Sequence, residues 1–204
     1  DNTKDMIKGC KTITNPKNMG KGFSLRKGFE YALKNNYDAM IILDGDGEHN
    51  PYDIPLFLEK IKDADIVIGE RNLFRSKKRE FLNFFSSFWT NIILKDIKDS
   101  QCGFRAVRTE LLKKMNLKSN GFEIELEMLL EAIKHKARIK TVNIQTKPTR
   151  KSGVKFKDYL KINKLFDKWI IENYKYLKLS LVKKIVLLSF SYIGLKASNI
   201  ILRK

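Results

Sequence analysis

Apolar residues recur along the chain in two alternating rhythms. Between Met19 and Asn36, Leu25, Phe29, Ala32 and Leu33 fall at i, i+4, i+7 and i+8, the spacing of one helix face. Ala39–Leu43 is a short apolar run suited to a buried strand. A helix over Ile54–Ile61 follows, entered through Pro51, and Asp65–Gly69 (DIVIG) predicts another buried strand. Glu80–Leu94, rich in Phe, predicts a helix, and Gly103–Val107 a strand. Phe122–Lys134 predicts a helix with Leu126, Met128, Leu129, Leu130 and Ile133 inward. Ile139–Ile144 alternates as a half-exposed strand does. This β/α alternation predicts an α/β fold: a mostly parallel sheet with helices on both faces. Ligands of such sheets bind beyond the carboxyl ends of the strands.

The carboxyl end changes character. Over Phe156–Tyr176, Tyr159, Leu160, Ile162, Leu165, Phe166, Trp169 and Ile170 alternate with Lys and Asp, which predicts an amphipathic helix. Leu179–Leu202 is largely apolar but interrupted by Lys183, Lys184 and Lys196. Ile185–Leu195 supplies only 11 residues without a charge, whereas a membrane span takes about 20. An interfacial helix with its lysines towards lipid headgroups is the favoured reading. A shortened transmembrane hairpin, a single span over Ile185–Leu202 and a soluble core helix are the alternatives. The expected organisation is a domain over residues 1–155 and a helical, membrane-associating extension over 156–204.

Composition narrows the partners. The 204 residues carry 41 Lys and Arg against 23 acids, a formal charge of +18, so anionic partners are expected. Nucleic acid is disfavoured: the aromatic residues fall mostly at core spacings rather than interleaving with a basic stripe. Phosphorylated substrates and a membrane surface remain. Cys10 and Cys102 form no metal-type pair and read as reduced, buried thiols. No secretory signal opens the chain, whose first residues are polar.

One cluster invites chemistry. The run Asp44-Gly45-Asp46-Gly47-Glu48-His49 places three acids within five positions directly after a predicted buried strand. Their mutual repulsion is relieved either by solvent, as in an ordinary acidic turn, or by a cation among them. Gly45 and Gly47 permit a sharply turned backbone on which carboxylates converge. Hard divalent ions take oxygen ligands, and Mg2+ typically takes one or two carboxylates together with substrate phosphates. His49 reads as a turn residue rather than a ligand, and Cys102 as a small core residue rather than a nucleophile.

Five segments in order, NMGKGFSLRKGFEYAL (Asn18–Leu33), IILDGDGEHNPYDIP (Ile41–Pro55), DIVIGER (Asp65–Arg71), DSQCGFRAVRTELL (Asp99–Leu112) and GFEIELEMLLEA (Gly121–Ala132), resemble family-2 glycosyltransferases of the GT-A fold. The nearest resemblance is to dolichyl- and polyprenyl-phosphate mannose and glucose synthases, over Asn18–Lys155. The opening strand of the type V-V-I-P-x-Y-N-E is absent, and Asp1–Asp5 resembles only the tail of a second acidic motif. A chain truncated at its amino end is therefore expected.

The resemblance implies metal-dependent, inverting transfer of a hexose from GDP-mannose or UDP-glucose to dolichyl or polyprenyl phosphate. The expected cofactor is Mg2+ or Mn2+, and the expected place the cytoplasmic face of a membrane. A saccharide or protein hydroxyl acceptor, or a non-catalytic fragment that binds nucleotide sugar, is the alternative. Asp44 and Asp46 would hold the metal, with Glu48 where relatives often carry Gln. Arg71 would bind phosphate, with Arg79 and Ser86 as further acceptor-phosphate contacts. Asp99 and Gly103 would form the acceptor-side wall, with Glu125 and Glu127 organising that site. A phosphate acceptor is already an anion near neutral pH and requires no strong base. Asn18, Lys21 and Gly22, at the start of the first helix, would face the donor, either through backbone amides or through the Lys21 charge; an ordinary glycine-containing helix start is the other reading. Arg150, Lys151 and Lys155 would close a basic loop over the diphosphate.

Overall fold

The computed structural model describes residues 7–72, 90–93, 97–147, 155–177 and 179–202. The first helix, α1 (Lys21–Lys34), leads into β1 (Ala39–Ile42). One 3-10 turn over Pro51–Asp53 opens α2 (Ile54–Lys60). Then come β2 (Ile66–Arg71), β3 (Arg105–Arg108), the single turn α3 (Thr109–Leu112), α4 (Ile124–Lys134) and β4 (Ile139–Ile144). Two long helices close the sequence, α5 (Phe156–Asn173) and α6 (Leu181–Leu202). The predicted helix Glu80–Leu94 lies largely outside the described residues.

The sheet has the order β1-β3-β2-β4. β2 and β4 are parallel, and β3 is antiparallel to both of its neighbours. Three strands thus share one direction, as the β/α alternation predicts, and β3 runs against them. Its small Ala106 stands opposite Ile41 on one side and Val67 on the other. Hydrophobic spacing carries no sign of direction, so this reversal is invisible in the pattern. Being antiparallel, β3 is entered at the end of the sheet where β1 and β2 finish.

β2 is buried along its whole length, which explains its continuous apolar run. Phe57 of α2 stacks on Phe104 with ring centroids 4.2 Å apart, and both rings are fully buried. Burying an aromatic side chain of this kind stabilises by roughly 1.5–3 kcal/mol. α4 buries apolar side chains on two sides because it lies between two clusters. Ile124, Met128, Leu129 and Ala132 belong to the core over the sheet. Leu126 and Leu130 meet Ile162, Phe166, Trp169 and Ile170 of α5 and Leu187 of α6. α5 and α6 also pack on each other. α6 leaves Leu181, Val182, Ile185, Val186, Phe190, Tyr192 and Ile193 exposed. Among the described residues, no helix is long and apolar enough to cross a membrane.

Candidate active site

The loop after β1 is shaped by its own polar groups. Gly47 takes φ 79°, in the region that suits glycine. The Asp46 carboxylate accepts the Glu48 amide at 3.0 Å, a side-chain-stabilised turn. His49 is buried, with its ring 5.3 Å from that of Phe104. Its Nδ1 accepts the Asp44 amide at 3.1 Å, which requires an unprotonated Nδ1. Burial lowers the imidazole's pKa against the opposing pull of Asp44 and Glu48, so the neutral ring persists. Backbone pairing of His49 with Thr146, and a Lys147 amide donated to the Glu48 carbonyl at 3.1 Å, tie the loop to the chain beyond β4. His49 is thus more than the turn residue that sequence suggests: it is the internal brace of the acidic loop.

Lys21, at the first position of α1, reaches over the strand ends. Its Nζ lies 2.5 Å from Asp44 Oδ1 and also pairs with Glu125 Oε1 of α4. Burial disfavours the ammonium, but Glu125 and Asp44 outweigh it and raise the pKa above the usual lysine value. Gly103, in the loop leading into β3, makes room for this group. A Cβ there would stand 2.7 Å from Asp44 Oδ2 and 2.8 Å from Lys21 Nζ. Three predicted site residues, Lys21, Asp44 and Glu125, therefore converge around a glycine, from α1, the loop after β1 and α4.

A second constellation lies beneath. Arg71, at the end of β2, grips Asp99 with two nitrogens: Nε to Oδ2 at 2.5 Å and Nη2 to Oδ1 at 2.8 Å. Its Nη1 lies 3.5 Å from Glu48 Oε1. All three side chains are buried. Burial opposes the guanidinium charge, and Asp99 more than compensates, raising the pKa further above its already high value. Arg105, fully buried in β3, donates to the carbonyls of Cys102 and Ser100, both at 2.7 Å, and to that of Glu125. It joins the loop before β3 to the start of α4. Nothing in the sequence reading singled Arg105 out; the available signal was an arginine between Phe104 and Ala106 in an otherwise apolar run.

Several expectations need correction. The amides at the start of α1 do not face a ligand: those of Gly22 and Phe23 both donate to the Asn120 carbonyl, at 2.8 and 3.3 Å. Gly22 is required there because a Cβ would collide with the Ser119 carbonyl. Asn18 Oδ1 accepts the Gly20 amide at 3.0 Å and so shapes the turn into the helix. Asp44, Asp46 and Glu48 do not gather: Asp44 turns to Lys21, Asp46 to a backbone amide, and Glu48 to the buried guanidinium. No group of three metal-binding side chains exists among the described residues. Cys10 is exposed rather than buried. Cys102 is buried as expected, and burial pushes its thiol up to about 12.

Glu127 does not join Glu125, since two residues along a helix turn the side chain to another side. Its carboxylate accepts the amides of Lys118 and Ser119, both at 2.9 Å. Lys155 is exposed and opens α5, its amide donated to Asp158 at 2.8 Å. Arg79, Ser86, Arg150 and Lys151 lie outside the described residues.

The donor set still suits a divalent ion in part. Asp44, 31% exposed at its side chain, and the exposed Asp46 offer hard oxygen ligands at the strand ends. Glu48 is committed to Arg71. The Lys21 ammonium marks a place beside Asp44 where positive charge is already stabilised.

Known proteins resemble this chain in sequence and in fold. The description Glycosyl transferase family 2 matches residues 1–115. The chain is 37% identical over 138 residues to an uncharacterised protein of Methanocaldococcus jannaschii, covering 62% of this chain and 60% of that one. It is 30% identical over 135 residues to the undecaprenyl-phosphate mannosyltransferase of Micrococcus luteus, covering 61% of this chain and 56% of the relative. It is likewise 30% identical over 131 residues to the dolichol-phosphate mannosyltransferase of Pyrococcus furiosus, covering 59% and 36%. The chain thus spans between about a third and three fifths of these relatives' lengths. Among solved structures, glucosyl-3-phosphoglycerate synthase from Mycobacterium tuberculosis in complex with Mn2+, uridine diphosphate and phosphoglyceric acid has the same fold. The TM-score is 0.60 at 14% identity, over 78% of this chain and 55% of that one. With acids at the carboxyl end of β1, a glycine-lined gap before β3 and a match over more than half its length, the chain belongs to glycosyl transferase family 2 and has the GT-A fold.

Proposed function

We propose that this chain is the catalytic part of an inverting, metal-dependent transferase that moves a hexose from GDP-mannose or UDP-glucose to a dolichyl or polyprenyl phosphate. The observation that carries this reading is the convergence of Lys21, Asp44 and Glu125 around Gly103 at the strand ends. Relatives named for undecaprenyl- and dolichol-phosphate mannosyl transfer supply the acceptor class. Departure of a nucleoside diphosphate builds negative charge, which positive groups at the site must offset.

Asp44 and Asp46 would hold Mg2+ or Mn2+. Bound there, the ion would supply Lewis-acid stabilisation of the leaving diphosphate. The chain's own groups do the rest. Lys21 supplies a positive charge beside Asp44. His49 fixes the Asp44 backbone, and Arg71 and Asp99 brace the wall between the β1 and β3 loops. Glu125 is engaged by Lys21, an arrangement that suits an organiser more than a proton acceptor. That favours an acceptor already anionic, such as a lipid phosphate, over a hydroxyl that must lose a proton. Arg79, Ser86, Arg150 and Lys151 remain proposed phosphate contacts.

The division into a domain over residues 1–155 and an extension over 156–204 belongs to the same proposal. The exposed apolar side chains of α6 lie along a helix that also carries Lys183 and Lys184. We place this helix against the cytoplasmic face of the membrane, where a lipid-phosphate head group is met.

Incubation with labelled GDP-mannose or UDP-glucose, Mn2+ and either a polyprenyl phosphate or a glycan acceptor tests the reading. A lipid-linked sugar is expected, and Asp44→Asn should reduce its formation about 10²–10³-fold, the range for removing one group that stabilises the transition-state charge. Label appearing only in a glycan, or in no product, would overturn it.

A further inference from the structure

We propose that the Lys21 ammonium is a resident counter-cation that shares Asp44 with the divalent ion in alternation and passes to the donor's diphosphate when the ion and donor bind. The inference rests on the functional reading above and adds to it a competition built into the site.

The observations are geometric. Lys21 Nζ lies 2.5 Å from Asp44 Oδ1 and pairs with Glu125 Oε1, so one ammonium bridges two carboxylates from different elements. The Lys21 side chain is 19% exposed and that of Glu125 only 6%. Asp44 is the open end of the bridge, at 31%. A carboxylate oxygen this close to an ammonium has its most accessible lone pair engaged, and a metal ion must take it over. Both cations cannot approach the same oxygen closely, because their charges repel. Gly103 leaves the space in which the Lys21 and Asp44 tips meet, since a Cβ there would stand 2.7 Å from Asp44 Oδ2 and 2.8 Å from Lys21 Nζ. Lys21 is also anchored at the first position of a helix whose initial turn is bonded to Asn120. Only its flexible stem has to swing.

Charge accounting explains the use of such a device. Without a donor, Asp44 and Glu125 would face one another as like charges in a partly buried place. The ammonium removes that repulsion. When a nucleoside diphosphate arrives with its divalent ion, new negative charge enters beside Asp44. Asp44 would then be free to hold the ion, and the Lys21 ammonium would turn from Asp44 to the phosphates while keeping Glu125. Metal binding is thereby weak before the donor is present and strong afterwards, a reciprocal coupling between the two ligands.

Mn2+ binding, measured by electron paramagnetic resonance or calorimetry with and without UDP or GDP, tests this on three proteins: wild type, Lys21→Met, and Lys21→Met combined with Glu125→Gln. The double variant removes one acid together with the cation, so it keeps the site's charge balance if the single variant does not fold. The expected result without nucleotide is that removal of Lys21 tightens Mn2+ binding, by about fivefold, the scale of one partly exposed ion pair. The gain in Mn2+ affinity on adding nucleotide should shrink in both variants. Equal or weaker Mn2+ binding by both variants, with undiminished coupling to nucleotide, would overturn the assignment of Lys21 alone. Absence of Mn2+ binding in every protein, even with nucleotide, would overturn the functional reading as well.

Discussion

Arg71 and Asp99 form a buried, two-pronged ion pair that joins the end of β2 to the loop before β3. Such a pair contributes little when intact relative to an apolar replacement, yet leaves a stranded charge when one partner goes. Asp99→Ala should therefore cost about 3–5 kcal/mol, read from the denaturation midpoint in urea with an unchanged slope. Asp99→Asn, which keeps the shape and one acceptor, should cost less. An Asp99→Ala protein as stable as wild type would mean that the pair is not closed in solution.

Gly103 predicts the opposite partition between stability and activity. A methyl group at this position would meet first the tips of Asp44 and Lys21, both ends of flexible side chains. Gly103→Ala should lose about 1 kcal/mol of stability or less, since the obstructing atoms can retreat. It should nonetheless separate Lys21 from Asp44 and weaken transfer markedly. Thermal denaturation and initial rates on the same preparation check the two halves.

The two cysteines should differ sharply in reactivity. Thiolates are the reactive form, and burial holds Cys102 up to about 12. Cys10 is exposed. Treatment of the folded protein with a maleimide at pH 7.5, followed by mass spectrometry, should find the label at Cys10 alone. Cys102 should react only after denaturation.

Asp167 makes the α5–α6 contact sensitive to pH. Burial raises its carboxyl from 3.8 to about 7, against a hydrogen bond from Ser191 that favours the charged form. A Cβ on Gly194 of α6 would collide with this carboxylate. Below 3.8 folded and unfolded chains are both protonated at this group. As pH rises through 3.8 to about 7, the unfolded chain releases the proton more readily than the folded one, so stability declines across that window. Hydrogen exchange at α6 amides, corrected for intrinsic rates, should be slower at pH 5 than at pH 8. Asp167→Asn should abolish the difference.

The hydrophobic pattern located α1, β1, α2, β2, α4 and β4 because each buries a face whose period is written in its side chains. It placed Asp44 correctly at the end of a buried strand. It could not supply direction, so the reversal of β3 within a mostly parallel sheet went unseen. Nor could it show which carboxylate meets which cation, because the pairs that build the site join remote segments. Lys21 and Glu125 lie on separate helices, and Arg105 reaches three carbonyls that no local rule connects. The acidic run illustrates the limit: spacing suggested three convergent ligands, while Glu48 was drawn away by Arg71, a partner on another strand. Cys10 was misplaced because an isolated small residue in irregular chain carries no periodic signal.

Among the described residues, the four residues Arg105–Arg108 pair with both β1 and β2, which do not pair with each other. During synthesis β1 and β2 both emerge well before this strand, each with an unpaired edge open to wrong partners. The segment that joins these two strands also carries in Gly103 and Arg105. Joining of the two strands and placement of Gly103 beside Asp44 are consequently coupled in folding, and a chaperone that shields those two waiting edges would protect both at once.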